Sequence, residues 1–357
     1  IFTTGKEKFD AFIRDLKEAQ SYIHLQYYIF ENDNIGQTIK DLLIERSKAG
    51  VKVKVIYDHI GSIHVRNRFF KEMRQAGIEV YPFFKVTFTP FASRINWRNH
   101  RKLCIIDGKI GYIGGMNIAD RYIDGVNYGV WRDTHLRITG PAINASQYSF
   151  AVDWSFMGLP LIEEDIYSHP KKPTKGIGMQ MATCGPTSHW PNLAFIFHKA
   201  IANAKKRVYI QTPYFLPTEN LLKTLQTAAL SKVDVRIMIP RQPDSLIMKL
   251  ASFSYIEECL KAGIKIYLYD AGMLHSKTLI VDDEFCTIGS TNFDFRSFEH
   301  NFECNMFMYS RQTCTQMQEI FMADTAQCTR VNAVTWRKRP IVEKAMESII
   351  RLLSPIL

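Results

Sequence analysis

The sequence predicts an α/β protein of two duplicated α/β/α halves, each with a mixed sheet, related by a pseudo-twofold axis and sharing one active site between them. Two observations carry this. First, His100-Arg101-Lys102 with Asp107, Gly114, Gly115 and Asn117 is matched by His275-Ser276-Lys277 with Asp282, Gly289, Ser290 and Asn292, each pair 175 positions apart. Second, each half alternates helical and strand-like periodicity. The flanks repeat too: Tyr22 to Phe30 resembles Val208 to Leu216, and AGIEVY from Ala76 resembles AGIKIY from Ala262.

In chain order, an amphipathic helix is expected from about Glu7 to Gln20, then the Tyr22 strand, a helix ending near Ala49-Gly50 and the apolar strand Val51 to Tyr57. The second half predicts a helix around Leu193 to Lys205, another after Pro217, the strand Val233 to Ile239 and a helix from Asp244 to Ala262. Between the halves, residues 159–176 carry Pro160, Pro170 and Pro173 without clear periodicity, which places a linker between domains 1–158 and 177–357. After Arg330, apolar residues from Ile341 to Leu353 at helical spacing behind Trp336-Arg337-Lys338-Arg339 predict a basic amphipathic helix. Packing of its apolar face on the parent domain is the commoner outcome; contact with a membrane surface is the alternative.

The chain's 357 residues suffice for two domains at about 150 residues each. Hydrophobic residues at 46% and charged residues at 22% exclude a disordered or fibrous chain. The net charge of +10 suits an anionic partner, nucleic acid or anionic lipid. No apolar run is long enough to span a membrane, and the start at Ile1 lacks signal-peptide features. Seven cysteines without a C-x-x-C pair read as reduced packing thiols.

Within a strand residues i and i+2 share a face, so a strand here makes His100 project with Lys102 and His275 with Lys277. Asp107, followed by Gly108, falls in a tight turn between Leu103 to Ile106 and Ile110 to Ile113, and Asp282-Asp283 occupies the equivalent turn. Both aspartates are therefore expected to shape the site rather than to touch substrate. Two imidazoles and two ammonium groups brought together by the duplication suit transfer at a phosphodiester: one histidine attacks phosphorus and the other protonates the leaving alkoxide. Lys102, Lys277, Asn117 and Asn292 would bind the non-bridging oxygens. Asp133 and Glu303, expected on alternating strands after each motif, are candidates to orient the imidazoles. A metal is disfavoured, because the histidines come with lysine rather than with ligand-spaced carboxylate or cysteine, and no cofactor is expected.

These residues resemble the phospholipase D superfamily, whose H-x-K-x4-D signature and following G-G/S-x-N stretch occur here twice, with the catalytic set His100, Lys102, Asp107, His275, Lys277 and Asp282. Within it, Gln26 to Phe30, Asn99 to Lys102, Ile113 to Asn117, Trp131 to His135, Arg296 to Phe298 and Asn301 to Glu303 resemble bacterial cardiolipin synthases over nearly the whole chain. The resemblance implies joining of two phosphatidylglycerol molecules into cardiolipin and glycerol through a phosphohistidine, with His100 as nucleophile and His275 as acid and then base; symmetry alone leaves that choice open. It also implies an anionic membrane surface as partner and the cytoplasmic face of a bacterial cell membrane as location, with an N-terminal anchor lying outside this chain. Residues 83–98 mix Phe83, Phe84, Val86, Phe88, Phe91 and Trp97 with Lys85, Arg94, Arg98 and the following Arg101, either an apolar, basic lip that meets acyl chains or an ordinary buried loop with a few exposed cations. The alternatives are a phospholipid hydrolase and a phosphodiesterase acting on nucleic acid, the latter disfavoured by the wider resemblance. The accepting alcohol and the oligomeric state are not set by the sequence.

Overall fold

The computed structural model describes residues 1–85, 97–162 and 176–354. The first half is a six-stranded sheet in the order Glu79–Phe83, Lys52–Asp58, Tyr22–Tyr27, Leu103–Ile106, Ile110–Gly114, His135–Thr139. Its first three strands are parallel and the rest antiparallel. The second half repeats this order with Lys265–Tyr269, Asp234–Pro240, Arg207–Gln211, Thr278–Val281, Phe285–Gly289 and Asn301–Tyr309. Cys328–Arg330 extends one edge, and Gly178–Cys184 pairs with Asn301–Tyr309.

The helices start where side chains can take over the unpaired amides. Thr4 caps Gly5–Lys17 by accepting from the Glu7 amide, and Asp33 caps Asn34–Lys48 through the Gly36 amide; such a cap contributes about 1 kcal/mol. Phe9, Phe12 and Leu16, at helical spacing, bury one face of the first helix against the sheet. In the second half Asn192–Ala202 and Glu219–Leu230 cover the outer face in the same way. The inner faces of both sheets meet in a third cluster, where Leu103, Ile105 and Ile113 join Leu274, Ile280 and Ile288. Burying a side chain of this size contributes about 1.5–3 kcal/mol, so this shared core makes the two halves one body.

Three expectations are corrected. The stretch from Asp244 to Ala262 forms two helices, Leu246–Phe253 and Ile256–Lys261. The Ser254 hydroxyl donates to the Ala251 carbonyl at 2.6 Å and competes with the helical ladder at the break. Beyond Arg330, Ala333–Arg337 and Ile341–Arg351 are separated at Pro340, whose ring and missing N–H end the first helix and open the second. Most of the apolar face of that last helix does not pack on the domain: Ile341, Val342, Ile349 and Leu352 are exposed, while Ile350 packs on the core of the second half and Glu347 is buried. All seven cysteines are free thiols, six of them buried and Cys328 half-buried. Most of the expected linker and of the 83–98 lip, as well as the last three residues, lie outside the described residues.

Candidate active site

Contrary to expectation the two motifs do not sit inside strands, and of the two carboxylates only Glu303 does, in Asn301–Tyr309, while Asp133 falls between Val130–Arg132 and His135–Thr139. His100 follows the short strand Arg98–Asn99, and Lys102 precedes Leu103–Ile106; likewise His275 follows Gly272–Leu274 and Lys277 precedes Thr278–Val281. At each motif the chain passes from a ladder with the opposite half to a ladder in its own sheet. Arg98–Asn99 pairs in parallel with Asn301–Phe302, and the His100 amide donates to the Phe302 carbonyl at 2.9 Å. Gly272–Leu274 pairs in parallel with Val130–Arg132, and the His275 amide donates to the Arg132 carbonyl at 2.7 Å.

This exchange decides the carboxylate pairing, which the sequence left open. His100 Nδ1 meets Glu303 Oε1 at 2.9 Å, and His275 Nδ1 meets Asp133 Oδ2 at 2.6 Å, so each imidazole is held by a carboxylate of the other half. With Nδ1–H given to the carboxylate, Nε2 carries the lone pair needed by a nucleophile or base. Glu303 also accepts from the Ser290 hydroxyl and, at 3.2 Å, from Asn301 Nδ2. Asp133 accepts from the Thr134 amide at 2.7 Å.

The motif's unequal third residues follow from this. A Cβ at Gly115 would lie 2.2 Å from Asp133 Oδ1, so only glycine admits that carboxylate. At the equivalent position Ser290 is accommodated, and its hydroxyl becomes a second donor to Glu303.

Lys102 Nζ donates to the His100 carbonyl at 2.5 Å, and Lys277 Nζ to the His275 carbonyl. Both ammonium groups are buried, and the charges of Lys277 and His100 reach the opposite motif, which brings both histidines and both lysines into one site. Burial drives the His100 imidazole down to about 4, against the pull of Glu303; burial, Lys277 and Lys102 hold His275 well below its ordinary value. Both rings are therefore neutral near pH 7. Burial pushes Asp133 up to about 6, whereas at Glu303 the opposing effect of His100, Lys102 and Ser290 outweighs burial and keeps the carboxyl below its ordinary value. Burial lowers Lys102 to about 7 and Lys277 to about 8.

A pH dependence follows. The ammonium forms attract a phosphodiester and the acid histidine must carry a proton; both are lost as pH rises, the ammonium charges through about 7 and 8, so kcat/KM is expected to fall from below pH 7 through about 8. The acid-side loss at His100 comes only as pH falls through about 4. A pH–rate profile of the purified protein checks this; a kcat/KM that holds level through about pH 9 would contradict it.

The motif aspartates stand apart from this group. Asp107, at φ +53°, accepts from the Gln20, Ser21 and Tyr22 amides, and Asp282, at φ +52°, accepts from those of Lys205, Lys206 and Arg207. Each ties its hairpin turn to the start of the central strand and contacts no imidazole, as the turn spacing implied. Asn117 differs from expectation. Its Oδ1 accepts from the Ile29 amide at 3.1 Å and its Nδ2 donates to the Tyr122 hydroxyl at 2.9 Å, leaving one N–H for any phosphate. Asn292 is buried with no hydrogen-bond partner for Oδ1 among the described residues.

Several site residues escaped sequence reasoning. The Tyr28 ring stands edge-on to His100 at 4.9 Å between centroids, with Lys102 Nζ 5.2 Å from its centre. Trp131 and Tyr122 flank His275 at 5.4 and 6.0 Å. Arg101, the variable residue of the first motif, forms a buried ion pair with Asp153 at 2.6 Å and donates to the Glu303 carbonyl at 3.2 Å. In the second half Ser276 takes the variable place, and the cation comes from across the interface: Arg132 donates to Ser276 at 3.1 Å and pairs with Asp324. Removing one partner of such a buried pair costs about 3–5 kcal/mol.

Comparison with known proteins agrees with this geometry. A family model described as "Cardiolipin synthase, PLD-like domain" matches residues 12–135 and again 197–325. The major cardiolipin synthase of Bacillus subtilis is 44% identical over all of this chain and 75% of its own length. The cardiolipin synthase of Geobacillus thermodenitrificans is 41% identical over all of this chain and 72% of its own. Among solved structures, phosphatidylserine synthase from Haemophilus influenzae superposes with a TM-score of 0.76, covering all of this chain and 94% of that one. At 14% identity that likeness speaks for the fold alone.

Proposed function

From a chain that belongs to the cardiolipin synthase family with its paired phospholipase D-like domains, we propose a phosphatidyl transfer between two phosphatidylglycerol molecules, run by His100 and His275 in turn. The protein is a phosphatidyltransferase of that family. The observation that carries the mechanism is the crossed pair of imidazole–carboxylate contacts, His100 with Glu303 and His275 with Asp133.

In the first step His100 Nε2 attacks phosphorus of phosphatidylglycerol. A P–N bond forms, the P–O bond to the headgroup glycerol breaks, and the alkoxide takes the Nε2 proton that His275 gains from solvent as the anionic phosphodiester binds. In the second step the headgroup hydroxyl of another phosphatidylglycerol gives its proton back to His275 and attacks phosphorus. The P–N bond breaks, cardiolipin leaves and His100 is restored. Lys102 and Lys277 balance the charge that grows on the non-bridging oxygens. In the empty site their two charges are matched by Asp133 and Glu303, so an arriving phosphodiester adds a net negative charge and raises the affinity of His275 for the proton it must donate. His100 as nucleophile and His275 as acid is the order the family resemblance implies; the twofold arrangement itself favours neither.

The reading extends to an anionic membrane surface as the place of action, since both substrates are lipids. The test supplies phosphatidylglycerol in vesicles and, separately, single- and double-stranded DNA. Cardiolipin and glycerol in equal amounts are expected. Phosphatidic acid as the only lipid product, or cut DNA without lipid turnover, would overturn the reading.

A further inference from the structure

The last helix, Ile341–Arg351, is turned inside out. At about 100° per residue, Ile341, Val342, Met346, Ile349, Leu352 and Leu353 fall within roughly 140° of arc. Ile341, Val342, Ile349 and Leu352 are 82, 70, 63 and 80% exposed. Glu347, on the opposite side, is the buried residue of the helix and receives both ends of the Arg339 guanidinium, at 2.5 and 2.9 Å. Arg339 in turn lies 3.5 Å over the buried Trp336 ring, and Arg351 pairs with Glu258 at 2.5 Å. The helix is thus fastened to the second half through Glu347, Arg351 and Ile350, and the apolar stripe is left outside. A contiguous exposed apolar face of this kind, rimmed by cations, marks a surface that an apolar partner covers.

The surroundings identify that partner. The helix packs on Leu246–Phe253, whose first residues, Leu246 and Ile247, are 68 and 48% exposed and enlarge the apolar surface. Arg337 and Lys338 stand exposed just before the stripe, where they complement anionic headgroups. Asp244, two residues before Leu246, receives the Tyr214 hydroxyl at 2.6 Å, and its charge reaches His275 and Lys277. Tyr214 packs against the cores of both halves, so the Leu246 end of the apolar surface lies toward the seam that holds the site.

We propose that the outward face of helix Ile341–Arg351, together with Leu246 and Ile247, docks on an anionic lipid bilayer and presents the active site to lipid headgroups at its surface. This rests on the proposed phosphatidyl transfer for its consequence, but its first readout is binding alone. Co-sedimentation of the full chain with vesicles of phosphatidylcholine, with and without added phosphatidylserine, measures docking. The triple variant Ile341→Ser, Ile349→Ser, Leu352→Ser changes only exposed side chains, and it is expected to weaken binding to the anionic vesicles at least about tenfold. Arg337→Glu with Lys338→Glu is expected to remove the preference for phosphatidylserine.

Turnover of phosphatidylglycerol in vesicles should fall with binding in the triple variant, while turnover of short-chain, monomerically dispersed phosphatidylglycerol should match the unaltered chain. Unchanged vesicle binding by the triple variant would overturn the proposal. So would sedimentation velocity showing a dimer that the triple variant dissociates while vesicle binding persists, since the face would then join two copies. A failure of the phosphatidyl-transfer reading is told apart by the unaltered chain itself: no turnover of either lipid form with vesicle binding intact.

Discussion

His100→Ala and His275→Ala are each expected to lower cardiolipin formation by about 10⁴-fold or more, about 5.5 kcal/mol of transition-state stabilisation. Neither ring has a substitute: both are buried and neutral, and each carries a different half of the reaction. The two losses should not add in the double variant, because the histidines act as one unit. Steady-state turnover of phosphatidylglycerol by the three variants, with near-ultraviolet circular dichroism to show that each is folded, checks this. A single alanine variant that keeps a tenth of the activity would contradict the shared site.

Glu303→Gln and Asp133→Asn carry the second large effect. Each keeps the side chain's size but removes the charge that fixes the tautomer and stabilises an imidazolium, a change that costs about 10²–10⁴ in kcat in comparable triads. The crossed wiring makes the outcome specific. Glu303→Gln, in the second half, should impair attack by His100 in the first half, and Asp133→Asn should impair proton transfer by His275. A substrate whose leaving group departs without a proton, such as a phosphatidyl nitrophenyl ester, separates the two. Its nitrophenol burst should slow in Glu303→Gln and be nearly untouched in Asp133→Asn. Equal slowing of the burst in both would contradict the assignment of roles.

Much of this was legible in the sequence because it is local or repeated. The 175-residue register exposed the duplication, and the Asp107-Gly108 pair between two apolar runs placed the aspartate in a turn. The carboxylates were found as residue types on the right segments, but not their partners. Periodicity reports which face a residue occupies, whereas the pairing of Glu303 with His100 arises from a parallel ladder of two residues between distant strands. The structural partners of Asn117 were hidden for a related reason: a buried amide also satisfies nearby backbone and hydroxyl groups, here those of Ile29 and Tyr122. The break at Ser254 hides in an unbroken apolar pattern, since a serine hydroxyl bonding back to the helix leaves the hydrophobic spacing intact. The last helix was seen as amphipathic, but the moment of a helix does not say which face meets the protein. That was settled by Glu347 and Arg339, whose charges pair on the inner side.

The covalent intermediate tests the central claim most directly. His275→Ala, mixed with the nitrophenyl ester and quenched during the first turnover, should carry one phosphatidyl group on the peptide containing His100, stoichiometric with the nitrophenol released, as read by mass spectrometry under alkaline conditions that preserve phosphohistidine. His100→Ala treated in the same way should carry none. An adduct on His275 in His100→Ala, or nitrophenol release without an adduct in either variant, would contradict the account.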